Sequence, residues 1–400
     1  MTAALAHILP PAHLHPPEEG SPWALIDGHR PELVAHPRDG EETARVVTAC
    51  SRGGWPLVPS GRGHALERGG ALTAARVVLH LDRLSGVTHF NPADLVISAQ
   101  AGTPLPDLKR EAATVGLHLA LDPSGGEEAS LGGVVALGLA GAERGARGRV
   151  RDQLLGLEGV LGDGTPFAAG GKVVKNVAGY DLCRLFTGSR GALGVITGAT
   201  LKLMPRPRAE AAWGWGEELE MTGALAAAAD LGTPRLDPLV LGLWGRPGRC
   251  RLGLVLAGEE EDLASRRQLL PAGLVSSTRS ELRKAENMPW QQRGEGEALV
   301  RLAVVPSALG RTLAGLPEAA CFFVDLLAGR ADITLPAEAL PDLAARAREG
   351  GGWCRVEEGP PGLRRVGEGG GGEGGAAAAL AAALRKAFDP RGIMVPGRMA

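Results

Sequence analysis

The sequence predicts an α+β protein of two domains, and three observations carry that reading. Four hundred residues, at about 100–200 per domain, hold two or three domains with ample chain for large cores. In the first half, short alternating apolar runs end in glycine-rich loops, the grammar of strands that hand the chain to tight turns. From residue 208 to about 360, strand-like runs (Leu239 to Leu243, Leu252 to Leu256, Leu299 to Val305, Phe322 to Leu327) interleave with helical ones (Leu219 to Ala229, Asp262 to Leu270, Ala337 to Arg348), an α+β pattern.

Composition narrows the function. The formal charge of −2 gives no electrostatic reason for a nucleic acid or an anionic membrane as partner. The longest apolar-plus-glycine run, Leu131 to Ala142, is shorter than the ~20 residues that span a bilayer, so no transmembrane segment is expected. The N-terminus lacks a basic region and its prolines interrupt any apolar one, so it does not read as a secretory signal and the expected compartment is the cytoplasm. Cys50, Cys183, Cys250, Cys321 and Cys354 are scattered and form no CxxC. They read as buried free thiols rather than a disulfide framework, zinc site or iron–sulfur cluster.

In chain order, residues 1–30 are Pro- and His-rich and are expected to form an irregular, solvated arm; His7, His13 and His15 are assigned no function and no metal site is expected. Asp39 with Glu41 and Glu42 marks a helix start, Ala44, Val46, Val47 and Cys50 its apolar face, and Gly53-Gly54 its stop. Trp55 to Pro59 then read as a strand feeding Ser60-Gly61-Arg62-Gly63-His64-Ala65. Such a loop can aim successive N–H groups at one anion, although ordinary β-turns share the pattern.

Val77, Leu79 and Leu81 alternate as a strand, Leu95 to Gly102 form another, and Thr103-Pro104 opens a helix with Pro104 suited to its first position. Leu119 to Pro123 lead into Ala129-Ser130-Leu131-Gly132-Gly133. Arg144 and Arg151 are suited either to phosphate or a partner subunit, or, for Arg151 and Asp152, to an internal salt bridge. Leu157 to Leu161 and Thr165 onward pair around an Asp163-Gly164 turn.

The least generic stretch is GGKVVKNVAGYDLCRLFTGSRGALGVITGATLKLMPRP, residues 170–207. It holds the chain's one tyrosine, Tyr180, and three of its six lysines. Lys175 and Asn176 sit between Val173, Val174 and Val177, where burial would demand polar partners. Tyr180 and Asp181 either pack and cap the helix of Leu182, Leu185 and Phe186 or contact a ligand. Gly188, Gly191 and Gly194 then permit close approach to a flat or charged ligand, and Val195 to Leu203 alternate as a strand up to Pro205. Near the C-terminus, residues 366–375 read as a glycine-rich linker, followed by an Ala/Leu helix from Ala376 to Phe388 and the tail DPRGIMVPGR.

The GSRGALGVIT run resembles the flavin-binding domain of the vanillyl-alcohol oxidase family. GGKVVKNVAGYDLCRLFTGS is similar, more narrowly, to the E-subunit family of bacterial glycolate oxidases. The resemblance covers roughly residues 33–207 and the last 15 or so residues. It implies a two-subdomain PCMH-type FAD-binding domain over 31–207, a smaller α+β cap domain over 208–365, the linker at 366–375, and a segment 376–400 that returns to the FAD domain.

Carried over position by position, the resemblance places Ser60, Gly61, Arg62, Gly63, His64 and Ala65 at the pyrophosphate loop. Pro123, Ser130, Leu131, Gly132 and Gly133 fall at the TIGG-like segment, and Gly191, Gly194, Val195 and Ile196 along the adenine side of FAD. His64 stands where many members have Thr or Ser, and is either a covalent flavin attachment point or a hydrogen-bonding loop residue. Val395 replaces the usual asparagine of the closing motif. In the cap, Arg301 is either a guanidinium that grips a 2-hydroxy acid carboxylate or an arginine on the wet face of its strand.

All nine histidines lie at or before His118, so the late histidine-rich motif of the family's catalytic D subunits is missing. A 2-hydroxy acid dehydrogenase needs a base for the hydroxyl proton. The resemblance therefore implies an FAD-binding subunit of a glycolate oxidase-like complex that oxidises glycolate to glyoxylate beside a catalytic flavin subunit and an iron–sulfur subunit, any membrane association running through those partners. A stand-alone flavoenzyme on another alcohol or hydroxy acid is the first alternative. A non-catalytic assembly subunit, kept open by the departures at Ala192, His64 and Val395, is the second. A nicotinamide Rossmann enzyme is not expected, because Gly61-Arg62-Gly63 has no third glycine in register.

Overall fold

The computed structural model describes residues 1–171, 180–364 and 376–398. Lys175 and Asn176 with their flanking valines, and the glycine-rich run 366–375, lie outside them. The chain divides into two compact units: Met1–Leu139 with Arg149–Pro205 and Glu373–Ala400, and Ala140–Gly148 with Arg206–Gly372. Residues 140–148, expected within the first domain, group with the second unit, and residues 1–30, expected as a separate arm, belong to the first.

The first unit holds two sheets. In the first, β1 (Leu14–His15), β2 (Leu33–Ala35), β4 (Val77–His80) and β3 (Leu57–Ser60) lie side by side in that order. β2 and β3 both run parallel to β4, and β1 runs antiparallel to β2. A 14-residue helix, Gly40–Gly53, connects β2 to β3. Its first turn is capped by Asp39, which accepts from the Glu42 amide at 2.7 Å, and it ends on left-handed Gly54 at φ 61°. Val46, Val47 and Cys50 are fully buried, so the helix forms where the local signals place it.

The second sheet is antiparallel, ordered β5 (Val87–Asn91), β6 (Val96–Gln100), β9 (Gly194–Lys202), β7 (Leu154–Leu161), β8 (Pro166–Gly170). β7 and β8 close through the Asp163-Gly164 turn, with Gly164 at φ 95°. β9 is its central strand, bent by a bulge between Ile196 and Gly198.

The N-terminal segment departs from the irregular, solvated arm its composition suggests. It forms a short helix, Thr2–Ala6, then β1 in the first sheet, and Leu5, Leu9 and Ile26 are 0–1% exposed. These isolated apolar residues, spaced by prolines, show no helical or strand period yet each enters the core.

The second unit is built on one eight-stranded sheet of antiparallel pairs, from Leu274–Ser277 at one edge to Trp353–Glu358 at the other. Ala224, Ala228 and Leu231 of the helix Met221–Leu231 and Leu340, Leu343 and Ala347 of the helix Leu340–Glu349 join one core cluster with the sheet. Leu282, from the helix Arg279–Gln291, packs in a separate cluster with Val240, Val255 and Phe323. That last helix was not read from the sequence, where Pro289 interrupts its pattern. Its signal is a capping box: the Thr278 hydroxyl takes the Glu281 amide and the Glu281 carboxylate takes the Thr278 amide.

No helix among the described residues is long and apolar enough to cross a membrane. All five cysteines are buried free thiols, and burial pushes Cys50 and Cys354 up to about 12.

Candidate functional site

The first unit carries an open cleft. Its floor is the end of β3 and the loop beyond, Ser60, Gly61, Arg62, Gly63, His64 and Ala65; Ser130, Gly132, Gly133, Gly191, Gly194 and Ile196 also line it. Pro123, Leu131 and Val195 do not line it. Leu131 and Val195 are fully buried, Leu131 because it starts a helix with its side chain toward the core and Val195 because strand alternation turns it away from Ile196.

The glycines act here by absence of a side chain. A Cβ on Gly61 would stand 2.0 Å from Ser130 Oγ, and one on Gly132 would stand 2.8 Å from the Ala101 Cβ. Gly63 and Gly191 have φ near 78°. The loop is thus pressed onto the helix Leu131–Leu137, whose cap is Ser130, accepting from the Gly133 amide at 3.4 Å. The Gly132 amide donates to the Ala101 carbonyl at 2.7 Å. Those two amides are engaged within the protein, so Gly132 and Gly133 contribute close approach rather than free N–H groups.

Several wall residues are not among those read from the sequence. Arg190 stands between the glycines of GSRG in a left-handed conformation, φ 57°, held by its amide to the Ala136 carbonyl at 2.7 Å. Arg398 arrives from the far end of the chain. The tail runs beside β3, with the Leu57 amide donating to the Ile393 carbonyl (2.8 Å) and the Val395 amide to the Leu57 carbonyl (3.0 Å). Arg398 is 6% exposed, donates from Nη1 to the Arg68 carbonyl at 3.2 Å, and has the buried Asp27 carboxylate at 3.9 Å from Nη2. Leu66, Leu81, Leu137 and Leu139 supply apolar surface.

Among the described residues the lining holds three arginines, Arg62, Arg190 and Arg398, one histidine and no carboxylate. A cationic rim beside an apolar wall suits a ligand with a flat apolar part and anionic phosphates. The Ser60 hydroxyl, buried in the lining, has no hydrogen-bond partner within the protein, the mark of a group that a ligand or water satisfies. FAD has both features, and the cleft fits it on these grounds. His64 is exposed at the lining.

Outside the cleft, the remaining sequence candidates have structural surroundings. Arg301 is neither on a wet face nor open to a ligand carboxylate. It is 6% exposed, with Nε and Nη2 donating to both oxygens of Asp332 at 2.7 and 3.0 Å and Glu357 at 3.9 Å. Burial pushes the Asp332 carboxyl up, but the Arg301 and Arg330 guanidiniums outweigh it and hold it below the usual range. The fork expected to grip a substrate is filled by the protein's own carboxylate. Arg151 lies 3.8 Å from Asp152. Asp181 caps its helix, accepting from the Arg184 amide at 3.0 Å, whereas Tyr180 is 95% exposed.

Comparison with known proteins agrees with this geometry. Residues 31–170 match the family model described as "FAD binding domain". The chain is 37% identical over 220 residues to glycolate oxidase subunit GlcE of Escherichia coli (strain K12), covering 54% of this chain and 59% of that protein. It is 37% identical over 177 residues to glycolate oxidase subunit GlcD of Bacillus subtilis (strain 168), covering 44% and 38%. The aligned part thus spans less than two thirds of either relative. A solved structure of alkyldihydroxyacetonephosphate synthase superposes with a TM-score of 0.71 at 16% identity, covering 98% of this chain and 83% of that one, which shows a shared fold.

Proposed function

With an FAD binding domain over residues 31–170 as the premise, we propose that this chain is the FAD-binding subunit of an oxidoreductase assembly acting on a small 2-hydroxy acid, glycolate in the first instance, with glyoxylate as product. The observation that carries the reading is the cleft with three arginines, an unpartnered buried hydroxyl and no carboxylate, in a chain whose relatives bear the names of glycolate oxidase subunits.

When bound, FAD would supply a hydride acceptor. The chain's own residues bind and orient it. Arg62, Arg190 and Arg398 would offset the charge of its phosphates, the Ser60 hydroxyl would gain a partner, and the glycines at 61, 63, 132 and 191 would let backbone approach the ligand. Leu66, Leu81, Leu137 and Leu139 keep water from one side.

The second unit offers no histidine, since the last one in the chain is His118, and its Arg301 is committed to Asp332. The proton-abstracting base for a 2-hydroxy acid is therefore assigned to a partner flavin subunit, with electrons leaving through an iron–sulfur subunit. The test is anaerobic mixing of the FAD-loaded chain with glycolate, alone and with candidate partner subunits. Bleaching of the flavin band only in the presence of partners supports the subunit role. Bleaching by glycolate in the isolated chain contradicts it and establishes a stand-alone enzyme.

A further inference from the structure

Four side chains that the flavin reading does not use converge beside the first sheet. β2 and β4 are parallel neighbours with Ala35 opposite Leu79, so the register sets His36 next to His80, about one strand spacing apart. Asp82 lies two residues beyond His80. On the other side, β1 brings His15 opposite Val34. The backbone, not chance side-chain reach, makes this cluster.

One assignment of neutral tautomers, read outward from His15, leaves both ring nitrogens that face Asp82 without a proton. His15 Nδ1 lies 2.8 Å from the Pro16 carbonyl, which only accepts, so Nδ1 carries the proton and Nε2 the lone pair. His15 Nε2 is 3.1 Å from His36 Nε2, which must then donate. His36 Nδ1 is left with a lone pair, yet it faces Asp82 Oδ1 at 2.8 Å. His80 repeats the situation. The Gly61 carbonyl hydrogen-bonds its ring, while Nδ1 is buried without a hydrogen-bond partner, 3.4 Å from the same Asp82 oxygen.

In that assignment the Nδ1 lone pairs of His36 and His80 and a carboxylate oxygen of Asp82 lie within 4.8 Å of one another, whereas a proton on His36 Nδ1 makes a hydrogen bond to Asp82, so the cluster holds either a proton or a cation. Without a positive charge among them the arrangement is repulsive. Zinc–nitrogen and zinc–oxygen bonds of about 2.0–2.2 Å place tetrahedral ligand atoms about 3.3 Å apart; the two histidine nitrogens lie 2.8 and 3.4 Å from Asp82 Oδ1 and within 4.8 Å of each other. The outer hydrogen bond of His80, to the Gly61 carbonyl, has the form such sites use, and His36 has the His15 ring at its second nitrogen. The Asp82 side chain is 46% exposed, which gives an entry path and room for water ligands.

We propose that His36 Nδ1, His80 Nδ1 and Asp82 form a binding site for a divalent first-row cation of the zinc class. Its role is structural. His80 pairs in register with Ser60 and hydrogen-bonds Gly61, so a bound cation ties the N-terminal strand and β2 to the strand that carries the flavin loop. This inference is independent of the flavin reading and its test does not use activity.

Full-length protein is stripped with a chelator and titrated with Co²⁺ alone, with and without FAD, by visible d–d absorption and equilibrium dialysis. The expected result is one saturable Co²⁺ per chain, displaced by Zn²⁺. His36→Gln and His80→Gln each weaken binding at least ten-fold, because glutamine preserves the outer hydrogen bond and removes the Nδ1 ligand. Exposed His7→Gln binds as the parent does. No saturable uptake by the parent protein, or uptake that survives both substitutions, overturns the proposal and leaves a proton as the shared charge. The parent titration decides the matter even if a variant fails to fold.

Discussion

Gly61 lies against Ser130 so closely that a methyl group on the glycine would stand 2.0 Å from the serine hydroxyl oxygen and 2.9 Å from its Cβ. The contact presses the loop that follows β3 onto the capped end of the helix Leu131–Leu137, and it makes a specific two-residue prediction. Gly61→Ala must displace the loop, and FAD affinity in equilibrium titration falls at least ten-fold, about 1.4 kcal/mol. Adding Ser130→Gly removes the clash and recovers part of the loss. Equal losses in the single and double variants would show that the contact does not set the loop.

Arg398 provides a second test through ligand chemistry. On the proposed reading it meets phosphate charge, so Arg398→Gln weakens FAD by about ten-fold while leaving riboflavin, which has no phosphate, bound as before. The comparison by fluorescence quenching separates charge recognition from general loosening, which would weaken both.

Asp39 gives a pH-dependent stability term whose sign follows from its surroundings. The Glu42 amide, opposed by burial and aided by Arg38, holds the Asp39 carboxyl below its ordinary value. The unfolded chain therefore binds its proton more readily. The cap's contribution is complete above the unfolded value near ~3.9 and is lost as pH falls through the lowered folded value. Asp39→Ala costs about 1 kcal/mol at neutral pH, read from urea midpoints, and the gap to the parent closes in acid. A gap that persists in acid would assign the effect to something other than the ionised cap.

The Arg301–Asp332 pair is buried on both sides, 7% and 3% exposed. Removing one partner strands a buried charge, so Asp332→Leu alone costs about 3–5 kcal/mol, whereas Arg301→Met with Asp332→Leu recovers most of it. Urea unfolding of both variants checks this. A double variant as unstable as the single one would show that the pair contributes more than mutual neutralisation.

How much of this was legible in the sequence depends on how local each signal is. The helix Gly40–Gly53 was readable because Asp39 and Gly54 announce its ends within one turn. The loop Ser60 to Ala65 was readable as a strand feeding glycines, but its assignment to a pyrophosphate came only through the family resemblance, because ordinary β-turns share the pattern. Arg398 was not, since it reaches the cleft only through pairing of the tail with β3, more than 330 residues away in sequence. Leu5, Leu9 and Ile26 were hidden because single apolar residues among prolines carry no period. Leu131 and Val195 were read among the cofactor-binding positions; the side-chain direction of a helix start and of a strand turns their side chains into the core, which leaves only their backbone for such a contact. Arg301 misled for a related reason: a charged residue on an apolar strand looks open to solvent or ligand until the partner strand supplies Asp332.

The most direct test of the central claim is titration of the purified full-length chain with FAD, followed by acid precipitation. The account predicts one FAD per chain, bound with quenched fluorescence in the parent, weakened at least ten-fold in Gly61→Ala, and released to the supernatant by acid if His64 is a loop residue rather than an attachment point. No FAD binding, or binding of equal strength in parent and Gly61→Ala, would contradict the assignment of the cleft.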